Sequence, residues 1–288
     1  MNTYSSKFDI ADVSGYKEIF QKEGASFSTA QYMIFQARGD GYTASFYKSG
    51  KFVIQGKNTD KILEKYFSMP SKKQDCLLDV PYPHIGIDES GKGDFFGPLV
   101  IAGAYLDEAG AKKLQEAGVC DSKKLTDKKI LELEAEIKNI AVFDVITINP
   151  KKYNELYSSF RNLNRLLAWG HSSVLENLLK KTDAKVAISD KFASSENVIL
   201  SALKEKGKTI KLIQQTKAEA DTAVAAASVL ARAEFVKRIS FISSQYEINL
   251  PKGASDTVLN QAKKFSERYG REELKNVAKI HFKTYESV

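Results

Sequence analysis

The chain has 288 residues, with 43 Lys and Arg against 36 Asp and Glu and a formal net charge of +7. That length suits one large domain with a smaller companion, the ordinary balance of apolar and charged residues excludes a disordered or fibrous chain, and no run nears the roughly 20 apolar residues that cross a bilayer. The charge favours a polyanion as partner, because Lys and Arg on phosphates release condensed counterions, though solubility alone accounts for such a balance as well.

The first ten residues have neither the basic start nor the apolar core of a secretory signal, so the cytoplasm is the expected compartment. Residues 8–66 then read as a small unit with a helix-like start, three strands and a closing amphipathic helix. The strands are expected over 31–38, 42–47 and 51–55, separated by the turn signals Gly39-Asp40-Gly41 and Lys48-Ser49-Gly50. In this antiparallel meander Tyr32 and Ile34, like Phe52 and Ile54, alternate as apolar positions. That leaves Arg38, Tyr47, Lys48, Lys51 and Lys57 to the other face or the turns. Such a sheet either offers a basic, aromatic surface to a nucleic acid backbone or uses its aromatic residues only to pack a small core.

Between residues 68 and 83 the pattern breaks into a stretch holding Pro70, Lys72, Lys73, Asp75, Pro81 and Pro83. The expected division is a first domain over 1–75, a linker over 76–83 and a second domain over 84–288. The first carries +3 of the charge and the rest of the chain +4, so both are mildly basic. Cys76 and Cys120, 44 positions apart, offer neither a disulfide framework nor a zinc spacing.

From residue 84 strands alternate with helices, which predicts an α/β layer structure. Strands are expected over 84–88, 99–106, 143–148, 185–190 and 209–214, and helices over 127–139, 163–181, 222–239 and 255–269. The helix at 222 opens on Ala223-Val224-Ala225-Ala226-Ala227-Ser228, residues small enough to let it pack very closely on the sheet.

Chemistry concentrates in Gly86-Ile87-Asp88-Glu89-Ser90-Gly91-Lys92-Gly93-Asp94, where an apolar strand runs into a glycine-rich turn. Adjacent carboxylates are oxygen ligands suited to Mg²⁺ or Mn²⁺, and glycines let backbone N–H groups approach a substrate unobstructed. Strict alternation would send Asp88 and Glu89 to opposite faces; the expectation is that the strand ends there, freeing Glu89 to turn toward the metal that Asp88 holds. The segment also nears the P-loop pattern, but Gly93 stands where a nucleotide-binding loop needs Ser or Thr, and two acids would sit inside a phosphate cradle. Asp190 ends its own strand, and two parallel neighbouring strands would bring it beside Asp88 at the usual edge for sites in open α/β sheets. Glu219 and Asp221 precede the alanine-rich helix; either can face the same region, and Asp221 can equally be that helix's N-cap.

These residues, continued by Gly97-Pro98-Leu99, resemble the opening of the type 2 ribonuclease H family, and of its bacterial ribonuclease HIII members in particular. Asp121-Ser122-Lys123-Lys124-Leu125, Asn162-Leu163-Asn164 with Trp169-Gly170-His171, and residues 223–232 resemble further blocks of that family in the same order. The resemblance implies a ribonuclease H-like α/β catalytic domain behind a small N-terminal α+β domain similar to the TATA-box-binding protein. It also implies endonucleolytic cleavage of the RNA strand of RNA/DNA hybrids, leaving 5′-phosphate and 3′-hydroxyl ends. By the same resemblance Asp88, Glu89 and Asp190 match the metal-binding acids, and the fourth catalytic acid falls at Glu219, with Asp221 the alternative. Gly91, Lys92 and Gly93 match a loop that senses ribose 2′-hydroxyls, with Ser90, Ser122, Lys123, Lys124, Asn162 and Asn164 further substrate contacts. A two-metal hydrolysis is expected, in which Asp88 bridges the ions, Glu89 and Asp190 hold one each and Glu219 orients the site. His171 is expected to be a structural partner rather than a catalyst, and Asp121 either orients the basic pair beside it or caps a turn. Lys92 and the N-terminal meander favour the HIII branch over ribonuclease HII, whose relatives cut at single embedded ribonucleotides. A non-catalytic hybrid-binding module is the reading from another class. No protein partner and no membrane are expected.

Overall fold

The computed structural model describes residues 2–7, 10–66, 80–120, 122–190, 202–203, 207–216 and 218–288. The chain divides into two compact units, Met1–Cys76 and Leu77–Val288. Residues 76–79 of the expected linker lie outside the described residues.

In the first unit the described strands are β1 (Asn2–Lys7), β2 (Ser26–Ser28), β3 (Met33–Gly39), β4 (Tyr42–Tyr47) and β5 (Lys51–Gly56), with helices α1 (Val13–Lys22) and α2 (Thr59–Tyr66). They form one antiparallel sheet in the order β1-β5-β4-β3-β2. The expected meander is its centre; the two outer strands are short or polar and carry no alternating signal. Phe20 of α1 packs with Phe35, Phe46, Phe52 and Ile54 in the core. Tyr32 does not join them: it precedes β3 at 69% exposure in a left-handed backbone conformation. An irregularity in register between Met33 and Phe35 shifts the pleat, so Phe35 and Ala37 face inward. The phenylalanines therefore serve the core, while Gln36, Thr43 and Gln55 take the alternating positions on the other face.

The second unit is a five-stranded sheet of β6 (His84–Ser90), β7 (Leu99–Leu106), β8 (Val142–Ile148), β9 (Val186–Asp190) and β10 (Lys211–Gln215), in the order β10-β9-β6-β7-β8. Strands β6, β9 and β10 run parallel, while β7 is antiparallel to both neighbours. Its longer helices are α3 (Glu108–Glu116), α4 (Asp127–Ile140), α5 (Pro150–Phe160), α6 (Leu163–Leu179), α7 (Thr222–Gln245) and α8 (Asp256–Tyr269). Helix α7 lies along β6 and β7 on one face and α6 covers the other, so the sheet has a core on each side. The expected close approach is real: a Cβ on Gly86 would stand 2.1 Å from the backbone of Ala223 and Val224, which only glycine avoids. Helices α3 and α5 were not expected from the sequence. Asp107 caps the first through its side chain, and Pro150 opens the second at a position where its missing N–H costs nothing.

Candidate active site

The site is built on the carboxyl ends of β6 and β9. Their parallel register pairs Ile85 with Ala187, Gly86 with Ile188 and Ile87 with Ser189, so the next residues of each strand, Asp88 and Asp190, stand side by side. Both follow the phase of Gly86 and Ile188, which face α7.

Strand β6 does not end at Asp88. It continues through Glu89 and Ser90, paired with Ile101 and Val100 of β7. The expected break is therefore absent, and alternation holds: Asp88 receives a hydrogen bond from Ser228 of α7, whereas Glu89 turns to α6. There His171 Nε2 lies 3.0 Å from Glu89 Oε2, and Lys92 Nζ donates to Oε1 at 3.4 Å. The Glu89 main-chain N–H donates back to Asp88 Oδ1 at 2.8 Å, holding the Asp88 carboxylate against the backbone near the end of the strand.

Their electrostatics differ accordingly. Burial pushes the Asp88 carboxyl up to about 7, helped by the like charges of Glu89 and Asp190 and opposed by the Ser228 hydrogen bond. Burial also pushes at Glu89, but its hydrogen bond and ion pair with His171, and then Lys92, outweigh it and hold that carboxyl below its ordinary value. His171 is itself buried, with Ser189 Oγ 3.3 Å from its other ring nitrogen. It is thus a bridge between β9 and Glu89.

On the α7 face a second relay supports Asp88. Ser228 Oγ lies 2.7 Å from Ser122 Oγ; with Ser228 donating to Asp88, Ser122 supplies the hydrogen for this contact. Arg232 then fixes the segment, donating to the Ser122 carbonyl at 3.1 Å and to Asp127 at 3.2 Å. The one hydrogen of the Ser122 hydroxyl is therefore used inside the protein. Lys123 beside it is exposed, while Asp121 and the side chain of Lys124 lie outside what is described.

The two candidates for the fourth acid are placed differently. Asp221 caps α7, accepting from the N–H groups of Ala223 and Val224 at 2.9 and 3.1 Å, and its other oxygen lies 2.9 Å from Nε2 of the buried His84. His84 begins β6, four residues before Asp88 and so about 13 Å away along the strand. Glu219 sits half-buried in the short turn Ala218–Ala220, which packs against β9 and the start of α7 through Ala218, Ile188 and Val224.

Beyond β6 the glycine loop is held tightly on one side and open on the other. Gly91 has a left-handed backbone, and a Cβ there would strike the Pro98 carbonyl at 2.2 Å and the Phe235 ring; a Cβ on Gly93 would meet nothing within 4 Å. Asn162 is the side-chain N-cap of α6, accepting from Asn164 and Arg165 N–H groups at 2.9 and 3.3 Å. Asn164 lies half-buried in that helix's first turn.

The donors gathered here are oxygens only, with a buried carboxyl whose charge is opposed by two others. That is the environment a hard divalent cation relieves. Among the described residues, no three carboxylate, imidazole or thiol groups converge as a set that could hold a metal ion, since Glu89 is turned to His171 and Lys92. Asp88 and Asp190 thus fit one side of a cation site, and Glu89 joins it only by sharing its oxygens with those partners. Sequence reasoning missed Ser228, Ser189 and the His84–Asp221 pair. A lone serine inside the otherwise apolar run of residues 223–231 is the available signal for the first, because a buried hydroxyl needs a partner.

A family model described as Ribonuclease HII matches residues 85–285, and one described as a domain of unknown function (DUF3378) matches residues 12–76. Ribonuclease HIII of Protochlamydia amoebophila is 44% identical over 278 residues, 93% of this chain and 90% of its own. Ribonuclease HIII of Chlamydia pneumoniae is 46% identical over 272 residues, 91% of this chain and 90% of its own. Among solved structures, Bst-RNase HIII in complex with Mn²⁺ matches with a TM-score of 0.69 at 26% identity, over 99% of this chain and 97% of its own. Aquifex aeolicus RNase H3 matches with a TM-score of 0.59 at 28% identity, over 96% and 99%. The fold is accordingly a ribonuclease H-like α/β domain preceded by a small β-rich domain, and the chain belongs to the ribonuclease HIII family.

Proposed function

We propose that this ribonuclease H hydrolyses the RNA strand of RNA/DNA hybrids internally, leaving 5′-phosphate and 3′-hydroxyl ends, with Mg²⁺ or Mn²⁺ held by Asp88, Glu89 and Asp190. The observation that carries the reading is the pair Asp88 and Asp190 on adjacent parallel strands, with Glu89 hydrogen-bonded to the first. Glu219 is the fourth acid in this reading, because Asp221 already serves His84 and the N-terminus of α7. Bound divalent ions supply activation of the attacking water and stabilisation of the departing 3′-oxygen.

The protein's own groups do the rest. His171 and Lys92 keep the Glu89 carboxyl ionised, and Ser228 with Ser122 behind it fixes the orientation of Asp88. The open backbone at Gly93, beside the tightly packed Gly91, faces the ribose 2′-hydroxyl that distinguishes RNA from DNA. Lys92, Lys123 and Lys124 neutralise phosphates, while Ser90, Asn162 and Asn164 line the path of the RNA strand. Residues 1–75 form a hybrid-binding domain, 76–83 a linker and 84–288 the catalytic domain. The working compartment in this reading is the cytoplasm; among the described residues no helix is long and apolar enough to cross a membrane.

The test is incubation with Mg²⁺, and separately with Mn²⁺, of an end-labelled RNA/DNA hybrid beside a duplex containing one ribonucleotide. Cleavage at many positions of the hybrid with the lone ribonucleotide spared is the expected result. Efficient cutting at the lone ribonucleotide assigns ribonuclease HII-like specificity, and folded protein that cuts neither substrate with either ion overturns the nuclease reading.

A further inference from the structure

Away from the acids, the group least explained by packing is Lys279, whose residue is fully buried. Its Nζ donates to the carbonyls of Asp94 and Gly97 at 2.8 and 2.7 Å, and the Tyr153 ring centroid lies 5.6 Å away. A buried ammonium is expensive, and burial brings Lys279 down to about 7, against the opposing charge of Asp94. A methionine would fill the same volume without that cost. What lysine adds is donors, and both carbonyls they satisfy belong to the loop that follows the glycine turn.

The main chain around Lys279 repeats this attachment. Its own N–H donates to Phe95 O at 2.8 Å, and the Gly97 N–H donates to Val277 O at 2.9 Å, while Phe96 bridges to Ala278. The Gly253 N–H donates to the Asp94 carboxylate at 2.6 Å. Behind this segment Asn154 of α5 donates to the carbonyls of Lys275 and Ala278 at 3.0 and 2.9 Å and accepts from Ile280 N–H at 3.1 Å. Residues 94–97 are therefore fixed by a frame from the far end of the chain, and they continue directly from Gly91, Lys92 and Gly93.

We propose that Lys279 is a positioning residue for the reaction: by anchoring the carbonyls of Asp94 and Gly97 it fixes the backbone of residues 91–93 against the ribose of the RNA strand. The inference rests on the proposed role of that loop. It makes the C-terminal segment part of substrate recognition although none of its side chains need touch the hybrid.

Steady-state cleavage of a hybrid by the full chain tests it, with Lys279→Met, Asn154→Ala and, as a control for lost stability, Val258→Ala, which trims a buried side chain of α8. Lys279→Met is expected to raise KM about tenfold with kcat within about threefold, since it loosens a binding element rather than the reacting groups. Asn154→Ala is expected to do the same more weakly, and Lys279→Gln, which keeps two N–H donors, to fall between Met and wild type. Val258→Ala should lower the melting temperature and leave KM unchanged. A wild-type KM in Lys279→Met overturns the inference, as does a loss confined to kcat or one matched by Val258→Ala. Should Lys279→Met fail to fold, a wild-type KM in Asn154→Ala overturns it instead. A wild type that cuts no hybrid fails the ribonuclease reading itself, whereas wild type and Lys279→Met cutting with equal KM fails only this inference.

Discussion

Asp88 and Glu89 are consecutive residues of one strand, and the protein treats them in opposite ways. Glu89 faces α6, where His171 and Lys92 supply hydrogen bonds and Lys92 a positive charge; its carboxyl is held low. Asp88 faces α7, whose first turns are mostly alanine and valine with one serine, and burial with the like charges of Glu89 and Asp190 pushes its carboxyl up. Burial acts on both, so the difference lies in what each face provides. Among the described residues one carboxylate has its counter-charge built in and the other has only like charges acting on it, which is the property expected of a group that binds a cation.

The strongest way to break this comparison is to remove the charges on the α7 face. Asp88→Asn or Asp190→Asn should lower kcat at least about a thousandfold, roughly 4 kcal/mol of barrier, with hybrid affinity by gel shift within about threefold of wild type. On the α6 face the effect is smaller, because His171 acts through Glu89: His171→Ala should cost about 10–100-fold in activity, in the range of groups that orient metal ligands. Near-wild-type cleavage by that variant would remove the distinction between the acid that His171 supports and the acid that faces α7.

Stability without divalent ions sharpens the same contrast. The folded Asp88 carboxyl lies near 7, above its ordinary value near 4, so the folded state holds a proton that the unfolded state has released. Its contribution is fully present below about pH 4 and is lost as pH rises through about 7. In EDTA, Asp88→Asn should therefore be the more stable protein at about pH 8, by about 2 kcal/mol or more, with the gap closing toward acid pH. A melting difference constant with pH would mean that Asp88 is not strained by its neighbours. Smallest is the effect of the first unit, which carries neither face of the site: deleting residues 1–75 should weaken hybrid binding about tenfold and leave kcat within about threefold. Unchanged affinity would end its reading as a binding domain.

Much of the second unit could be read from the sequence because its strands are apolar runs ended by acids or turns. Strand β7 spans Leu99–Leu106 as expected, and the helices starting at Asp127, Leu163 and Thr222 begin where their caps stand. Less legible were β1 and β2, polar segments held by cross-strand pairing rather than by any local pattern, and the inward phase of Phe35, set by a register irregularity. The acids Asp88, Glu89 and Asp190 stand out in sequence as residues at strand ends. Their division between two faces does not, since the pairing of Glu89 and Ser90 with β7 depends on residues 10 to 12 positions away. Nothing local to Lys279 marks it as buried, because the loop it holds is distant in the chain.

Calorimetric titration of Mn²⁺ into wild type and Asp88→Asn at about pH 6.5, in two buffers of different ionisation enthalpy, tests the central contrast most directly, because a carboxyl that binds a cation must first lose its proton. Wild type is expected to bind with proton release to the buffer, and both are expected to be weakened or absent in Asp88→Asn. Equal Mn²⁺ affinity and equal proton release in the two proteins would contradict that contrast.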